Sequence, residues 1–170
     1  MGSNHHHVST RFRTLVAQWT NKGVGQRGLS GPRPGATVLF LDFDGVMHPA
    51  ESGSFCNMQS LEHVLEACPA VDVVLSTNWR INPSLHYLMD IFPVDIRHRI
   101  VGVNPMIEDA HPEREAECRA YLARSGVSCA VALDDDASLF SPACPFLFQV
   151  DRYVGLDAAA SERLIARLAP

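Results

Sequence analysis

Two carboxylates flank a single apolar residue in Leu41-Asp42-Phe43-Asp44-Gly45-Val46, and three more, Asp134, Asp135 and Asp136, stand together further along the chain. Carboxylates gathered in one place repel one another unless a cation neutralises them or some keep their protons. A small set of hard oxygen donors suits Mg²⁺, which keeps several of its own waters. A carboxylate can also attack phosphorus to form an acyl-phosphate. A second acid must then protonate the leaving group and later activate water. Asp42 and Asp44 have the spacing for that division of labour. Phosphoryl oxygens need donors and a cation as well. Ser76, Thr77 and the backbone around Asn78 can donate. Lys22 is the only lysine, so beyond residue 36 the cation must be an arginine.

The elements around these clusters follow from hydrophobic pattern. Thr37–Leu41 is a continuous apolar run ending at Asp42, as in a strand buried on both faces of a parallel sheet. Met58, Leu61, Val64, Leu65 and Cys68 recur at helical spacing, and Pro69 closes that helix. Val71–Leu75 reads as a second strand, ending in Ser76-Thr77-Asn78. Asn82-Pro83 reads as a cap and first-turn proline before a helix with the stripe Leu85, Leu88, Met89 and Phe92. Arg99–Val103 is a third short strand. Pro112 opens a helix to about Arg124 that Gly126 stops. Cys129–Leu133 and Phe146–Val150 are the fourth and fifth strands, and Asp157 caps a last helix. Strands alternating with helices predict a three-layer α/β fold around a parallel sheet with right-handed crossovers. Ligands of such sheets sit beyond the carboxyl ends of the strands, where three separate strand ends deliver Asp42–Asp44, Ser76–Asn78 and Asp134–Asp136.

Composition sets the frame. The chain has 170 residues, 46% of them hydrophobic, which fits one globular domain. No apolar run is long enough to cross a bilayer, and the N-terminus lacks the apolar stretch of a signal peptide, so a soluble cytoplasmic protein is expected. Five cysteines without C-x-x-C spacing point to buried free thiols and not to a disulfide framework or zinc site. The net charge of −5 is uneven: residues 1–34 hold five positive charges and no acid, which leaves −10 for the remainder. Residues 1–36 therefore read as a basic, flexible extension, with a short helix over Arg11–Thr20, and residues 37–170 as the folded domain. A basic arm on an acidic domain can also recruit nucleic acid. The sequence fixes no oligomeric state.

The order and spacing of these clusters resemble the haloacid dehalogenase (HAD) superfamily. Asp42-Phe43-Asp44-Gly45-Val46 resembles its first motif, Ser76-Thr77 its second and Asp134-Asp135 its fourth. With His48-Pro49, Ser76-Thr77-Asn78-Trp79-Arg80, Leu133-Asp134-Asp135, Asp151 and Gly155-Leu156, the chain is similar to the small HAD domains associated with RNA-repair proteins. The resemblance implies a Rossmann-like fold and a hydrolase with Asp42 as nucleophile and Asp44 as acid/base. It implies Mg²⁺ contacts from Asp42, the Asp44 backbone and Asp134 with Asp135 near, and phosphate contacts from Thr77 or Ser76. The third motif, a lysine, is missing; Arg114 is the preferred substitute and Arg80 the competitor. Neither Met47–Asn57 nor the segment before Arg114 has room for a cap domain, so the resemblance implies an open site and a bulky phosphorylated substrate, such as a nucleic-acid end or a phosphoprotein. The alternative is a binding module that keeps the metal site without turnover.

Each cluster has a plainer reading beside the chemical one. The acids can be turns and caps, Ser76 and Thr77 helix caps, Arg114 a surface residue, Trp79 packing, His48 structural and Asp136 a solvent-facing cap. A receiver domain, which also binds Mg²⁺ at strand ends, needs a late lysine that is absent.

Overall fold

The computed structural model describes residues 29–169 apart from 51, 82–84 and 108. The Arg11–Thr20 helix and the Asn82-Pro83 cap lie outside the described residues. Five strands form one all-parallel sheet: β1 (Thr37–Leu41), β2 (Val71–Leu75), β3 (Ile100–Val103), β4 (Ala130–Asp134) and β5 (Leu147–Gln149), in the order β3-β2-β1-β4-β5. The first strand is therefore central, and both of its neighbours carry polar residues at their ends. Among the described residues five helices complete the fold: α1 (Met58–Ala67), α2 (Leu85–Asp90), α3 (Val94–Arg97), α4 (Glu113–Ser125) and α5 (Ala158–Leu168). Short 3₁₀ turns occupy Asn78–Ile81 and Ala137–Leu139.

Strand alternation divides the core into two layers. Leu39, Leu41, Val73, Leu75 and Leu133 belong to one, with Leu61, Val64 and Leu65 of α1, Leu88 of α2 and Ala160 and Leu164 of α5. Val38, Phe40, Val74 and Ala132 belong to the other, with Cys118 and Tyr121 of α4. Each fully buried large side chain contributes about 1.5–3 kcal/mol relative to exposure, so β1, apolar on both faces, anchors the sheet. This is the expected three-layer α/β architecture, and no cap domain occurs among the described residues.

Local signals set most boundaries. Gly126 stops α4 in the left-handed conformation at φ 73°. The Asp157 carboxylate accepts from the Ala160 N–H at 2.7 Å and starts α5. Carbonyls at the end of α1 are capped from a distance: the buried Arg99 guanidinium donates to Leu65 O at 3.1 Å and Cys68 O at 2.9 Å. Within the expected N-terminal extension, residues 29–36 contact the domain. Arg33 bonds the buried Asp72 carboxylate through its backbone N at 2.8 Å and its Nε at 2.9 Å, and the Gly31 N–H reaches Val101 O at 3.2 Å.

Some expectations need correction. The fourth strand runs Ala130–Asp134, one residue later than read, because the Val38 N–H takes Cys129 O and pairing proper begins at Ala130. The fifth is trimmed to Leu147–Gln149, the residues that pair with Ala132–Asp134. α3 and the two 3₁₀ turns carried no periodic signal. All five cysteines are free, but Cys56 and Cys129 are exposed where buried thiols were expected.

Candidate active site

Asp42 follows the last residue of β1 and keeps the sheet's pairing, its N–H bonded to Leu133 O at 3.1 Å. Asp134 ends β4, the adjacent parallel strand, and Asp135 follows it. Parallel pairing thus brings the three acids to one sheet edge, with one carboxylate oxygen from each within 4.8 Å of the others. Asp42 is 8% and Asp134 2% exposed. Burial, then the Asp134 charge, pushes the Asp42 carboxyl up to about 8 against the pull of Arg114. Burial pushes Asp134 up to about 6, again opposed by Arg114. Asp135 is also raised, by burial first, and Arg152 pulls it back. Gly45 makes the gathering possible. Its φ of 75° suits glycine, and a Cβ there would collide with the Asp135 carboxylate.

Arg114 supplies the cation from the first turn of α4. Its Nη2 lies 3.7 Å from Asp42 Oδ1 and its Nε 3.6 Å from Asp134 Oδ2. Nη1 donates to Glu117 Oε2 at 3.1 Å, one helical turn along, and Nη2 to Asn78 Oδ1 at 3.3 Å. Arg80 stands on the other side of the same glutamate, with Nη2 2.5 Å from Glu117 Oε1 and Nη1 donating to Thr77 O at 2.7 Å. Arg114, and not Arg80, is therefore the arginine within 4 Å of Asp42 and Asp134. Glu117 was not singled out from the sequence. Its spacing of three from Arg114 on a helix is the one local sign.

The expected phosphate donors separate. Thr77 is fully buried, and its Oγ1 accepts from the Trp79 N–H at 3.2 Å, which leaves the hydroxyl proton free to donate. Asn78 reaches Arg114. Ser76 points elsewhere. Its buried hydroxyl accepts from Asn104 Nδ2 at 2.7 Å and lies 4.0 Å from Cys118 Sγ. The structure thus groups Thr77 and Asn78 with the arginines and places Ser76 in a separate polar network.

Asp44 sits in the turn after Asp42, its side chain about half exposed, and its carboxylate is outside the three-acid group. The Trp79 indole N–H donates to its Oδ2 at 2.7 Å. The buried His48 ring flanks Oδ1, with Nε2 3.6 Å away and without a hydrogen-bond partner. His48, Trp79, Phe43 and Phe55 pack as a cluster of rings. Sequence reasoning offered Trp79 as packing; it packs and also bonds the turn. Asp136 caps the 3₁₀ turn, accepting from the Ser138 N–H at 2.9 Å.

Three acidic oxygens at mutual reach, raised in pKa by their crowding and burial, are a donor set that fits a hard divalent cation. No curated protein and no solved structure gives a match to this chain. The profile of the family described as HAD domain in Swiss Army Knife RNA repair proteins matches residues 38–160, from the first buried strand into the last helix. With most of its length covered, the chain belongs to that family of HAD domains, within a superfamily made up generally of hydrolases.

Proposed function

We propose that this domain is a Mg²⁺-dependent phosphomonoesterase acting on the terminal phosphate of a bulky substrate, a nucleic-acid end in first place. One observation carries the reading: Asp42, Asp134 and Asp135 present oxygens within 4.8 Å of one another beside the buried Arg114. Asp42, Asp134 and Asp135, with the Asp44 backbone, would hold Mg²⁺, which when bound neutralises the carboxylates and the phosphoryl charge. Asp42 Oδ attacks phosphorus while the bond to the leaving oxygen breaks, and Asp44 gives that oxygen its proton. Asp44 then takes a proton from water, whose oxygen displaces Asp42 and releases inorganic phosphate. Arg114, Thr77 and Asn78 are suited to orient the phosphoryl oxygens, the arginine through its planar fork. The family description, which names RNA repair proteins, and the lack of a cap among the described residues support a polymer end over a small metabolite.

The test is hydrolysis of an aryl phosphate and of 3′- and 5′-phosphorylated oligonucleotides with Mg²⁺, with EDTA, and with Asp42→Asn. Metal-dependent turnover that falls about 10⁴-fold or more in Asp42→Asn is expected. Undiminished turnover in Asp42→Asn would sink the mechanism. Mg²⁺ binding without turnover on any of these substrates would favour a binding module instead.

A further inference from the structure

We infer that Trp79 is a positioning residue for Asp44, its indole N–H fixing the orientation in which that carboxyl group meets the leaving group. The inference rests on the phosphomonoesterase reading above. Asp44 lies in a turn, about half exposed, with an isolated bridge to His48 as its sheet-like contact. A short side chain in that setting has several rotamers open to it, and an acid that must meet a leaving oxygen works only from a narrow range of them.

The 2.7 Å bond from Trp79 Nε1 to Oδ2 removes that freedom. Indole N–H is a donor only, so it orients the carboxyl group without competing for its proton. With Oδ2 held by the indole N–H, Oδ1 is the oxygen turned away from Trp79. His48 closes the other flank of Oδ1, its Nε2 buried, unpartnered and 3.6 Å away. The indole itself is well held. Its ring lies edge-on to Phe43 and Phe55 at 5.9 and 5.4 Å between centroids, and its backbone N–H bonds Thr77 Oγ1 at 3.2 Å. One 3₁₀ turn, Asn78–Ile81, thus ties the cation through Asn78 and the acid through Trp79 to the end of β2.

In the first half-reaction Asp44 gives the leaving oxygen its proton, while the Asp42–phosphorus bond forms and the phosphorus–oxygen ester bond breaks. In the second, Asp44 recovers a proton from the attacking water, whose oxygen bonds phosphorus as the Asp42–phosphorus bond breaks and phosphate is released. Both steps need the Asp44 carboxyl group at the same place, which is what the indole bond secures.

General-acid help matters for a poor leaving group and little for a good one. Trp79→Phe keeps a ring in the cluster and removes the N–H. It is expected to lower kcat/KM, which reports the first half-reaction alone, by about 10-fold or more on an alkyl phosphate and by less than about twofold on 2,4-dinitrophenyl phosphate. An equal loss of kcat/KM on the two esters would overturn the positioning role while leaving the hydrolase reading intact. A wild type that turns over neither these esters nor a 3′- or 5′-phosphorylated oligonucleotide would overturn both. Independently of turnover, the indole N–H resonance of Trp79, assigned by its loss in Trp79→Phe against Trp19, is expected downfield and slow to exchange in the full chain. It should move upfield and exchange faster in Asp44→Ala. A resonance indifferent to Asp44→Ala would overturn the bond and the role with it.

Discussion

Arg114 Nη2 and Asp42 Oδ1 face each other at 3.7 Å, both side chains almost wholly buried. One comes from the first turn of α4 and the other from the end of β1. Arg114 carries a planar guanidinium, which needs several acceptors to be comfortable away from water. Asp42, Asp134, Glu117 and Asn78 surround it. A buried guanidinium therefore requires a supporting partner, and Glu117 is one.

Glu117 is fully buried and bridges two buried arginines, Arg80 at 2.5 Å and Arg114 at 3.1 Å. Burial pushes its carboxyl up, and the two guanidiniums pull it back. Glu117→Ala leaves both cations uncompensated. It is expected to cost about 3–5 kcal/mol, the range for breaking a buried ion pair by removing one partner. Denaturant unfolding checks this, and a loss below about 1 kcal/mol would show that the arginines find other partners.

Metal and protons compete for the same oxygens. Asp42 is pushed up to about 8 and Asp134 to about 6, against 3.8 for the free side chain, burial being the first cause of each. Between these values the folded chain holds protons that the unfolded chain has released. Their contribution to stability is thus fully present below about 3.8 and is lost as pH rises through about 6 and about 8. Glu115 acts oppositely: bonds from Ser141, then Arg119, hold it at about 2, so its contribution is present above 4.5 and is lost as pH falls. In EDTA the protein is expected to melt lower at pH 8 than at pH 6. Saturating Mg²⁺ should raise the midpoint more at pH 8, with protons released on binding. An Mg²⁺ effect equal at the two pH values would count against these carboxylates as ligands.

The sheet was legible because its inner strands are buried on both faces. Val38–Leu41 is an apolar run and Val71–Leu75 is apolar but for Asp72, and polar residues directly after such runs must emerge at the sheet edge. Element ends were less legible where pairing with a neighbour decides them, as at β5, whose three residues are those opposite Ala132–Asp134. The polar partnerships were hardest to read. Ser76 bonds Asn104, 28 residues away just past the end of β3, and no local pattern distinguishes that use of a hydroxyl from phosphate binding. Trp79 was readable as a large ring that would pack, but the direction of its N–H depends on how the turn after β2 docks on the turn after β1. Glu117 carried only its helical spacing from Arg114.

Gly45 is a place where backbone and site geometry can be separated. Its φ of 75° costs an alanine about 1–2 kcal/mol, and a Cβ there would strike the Asp135 carboxylate. Gly126, at φ 73°, has open space around it. Gly126→Ala is therefore expected to lower stability without changing Mg²⁺ affinity. Gly45→Ala should lose stability and also weaken Mg²⁺ binding by displacing Asp135. Calorimetric titration of both variants decides: equal Mg²⁺ affinities would mean that Asp135 is not a ligand.

The loop between β5 and α5 extends the argument to the substrate. It is tied to the turn carrying Asp44: the Ala50 N–H bonds Arg152 O at 2.9 Å, the Leu156 N–H bonds Val46 O at 2.8 Å, and Asn57 Nδ2 bonds both Val46 O and Val154 O at 2.9 Å. From this fixed backbone Tyr153 projects 76% exposed, with the Arg152 guanidinium 5.8 Å from its ring centre and acting on Asp135 electrostatically. A hydrogen-bonded loop that offers an aromatic face, and a cation acting on Asp135, would suit stacking of the base next to the terminal phosphate of the proposed substrate. Stacking is worth about 1–3 kcal/mol per base by alanine substitution. Tyr153→Ala is expected to raise KM for a phosphate-terminated oligonucleotide by about 5- to 150-fold, with kcat and all constants for an aryl phosphate unchanged. Equal KM values for wild type and variant on the oligonucleotide would mean that the polymer lies elsewhere on the open face. A matching rise on the aryl phosphate would mean that the loop shapes the reacting centre itself.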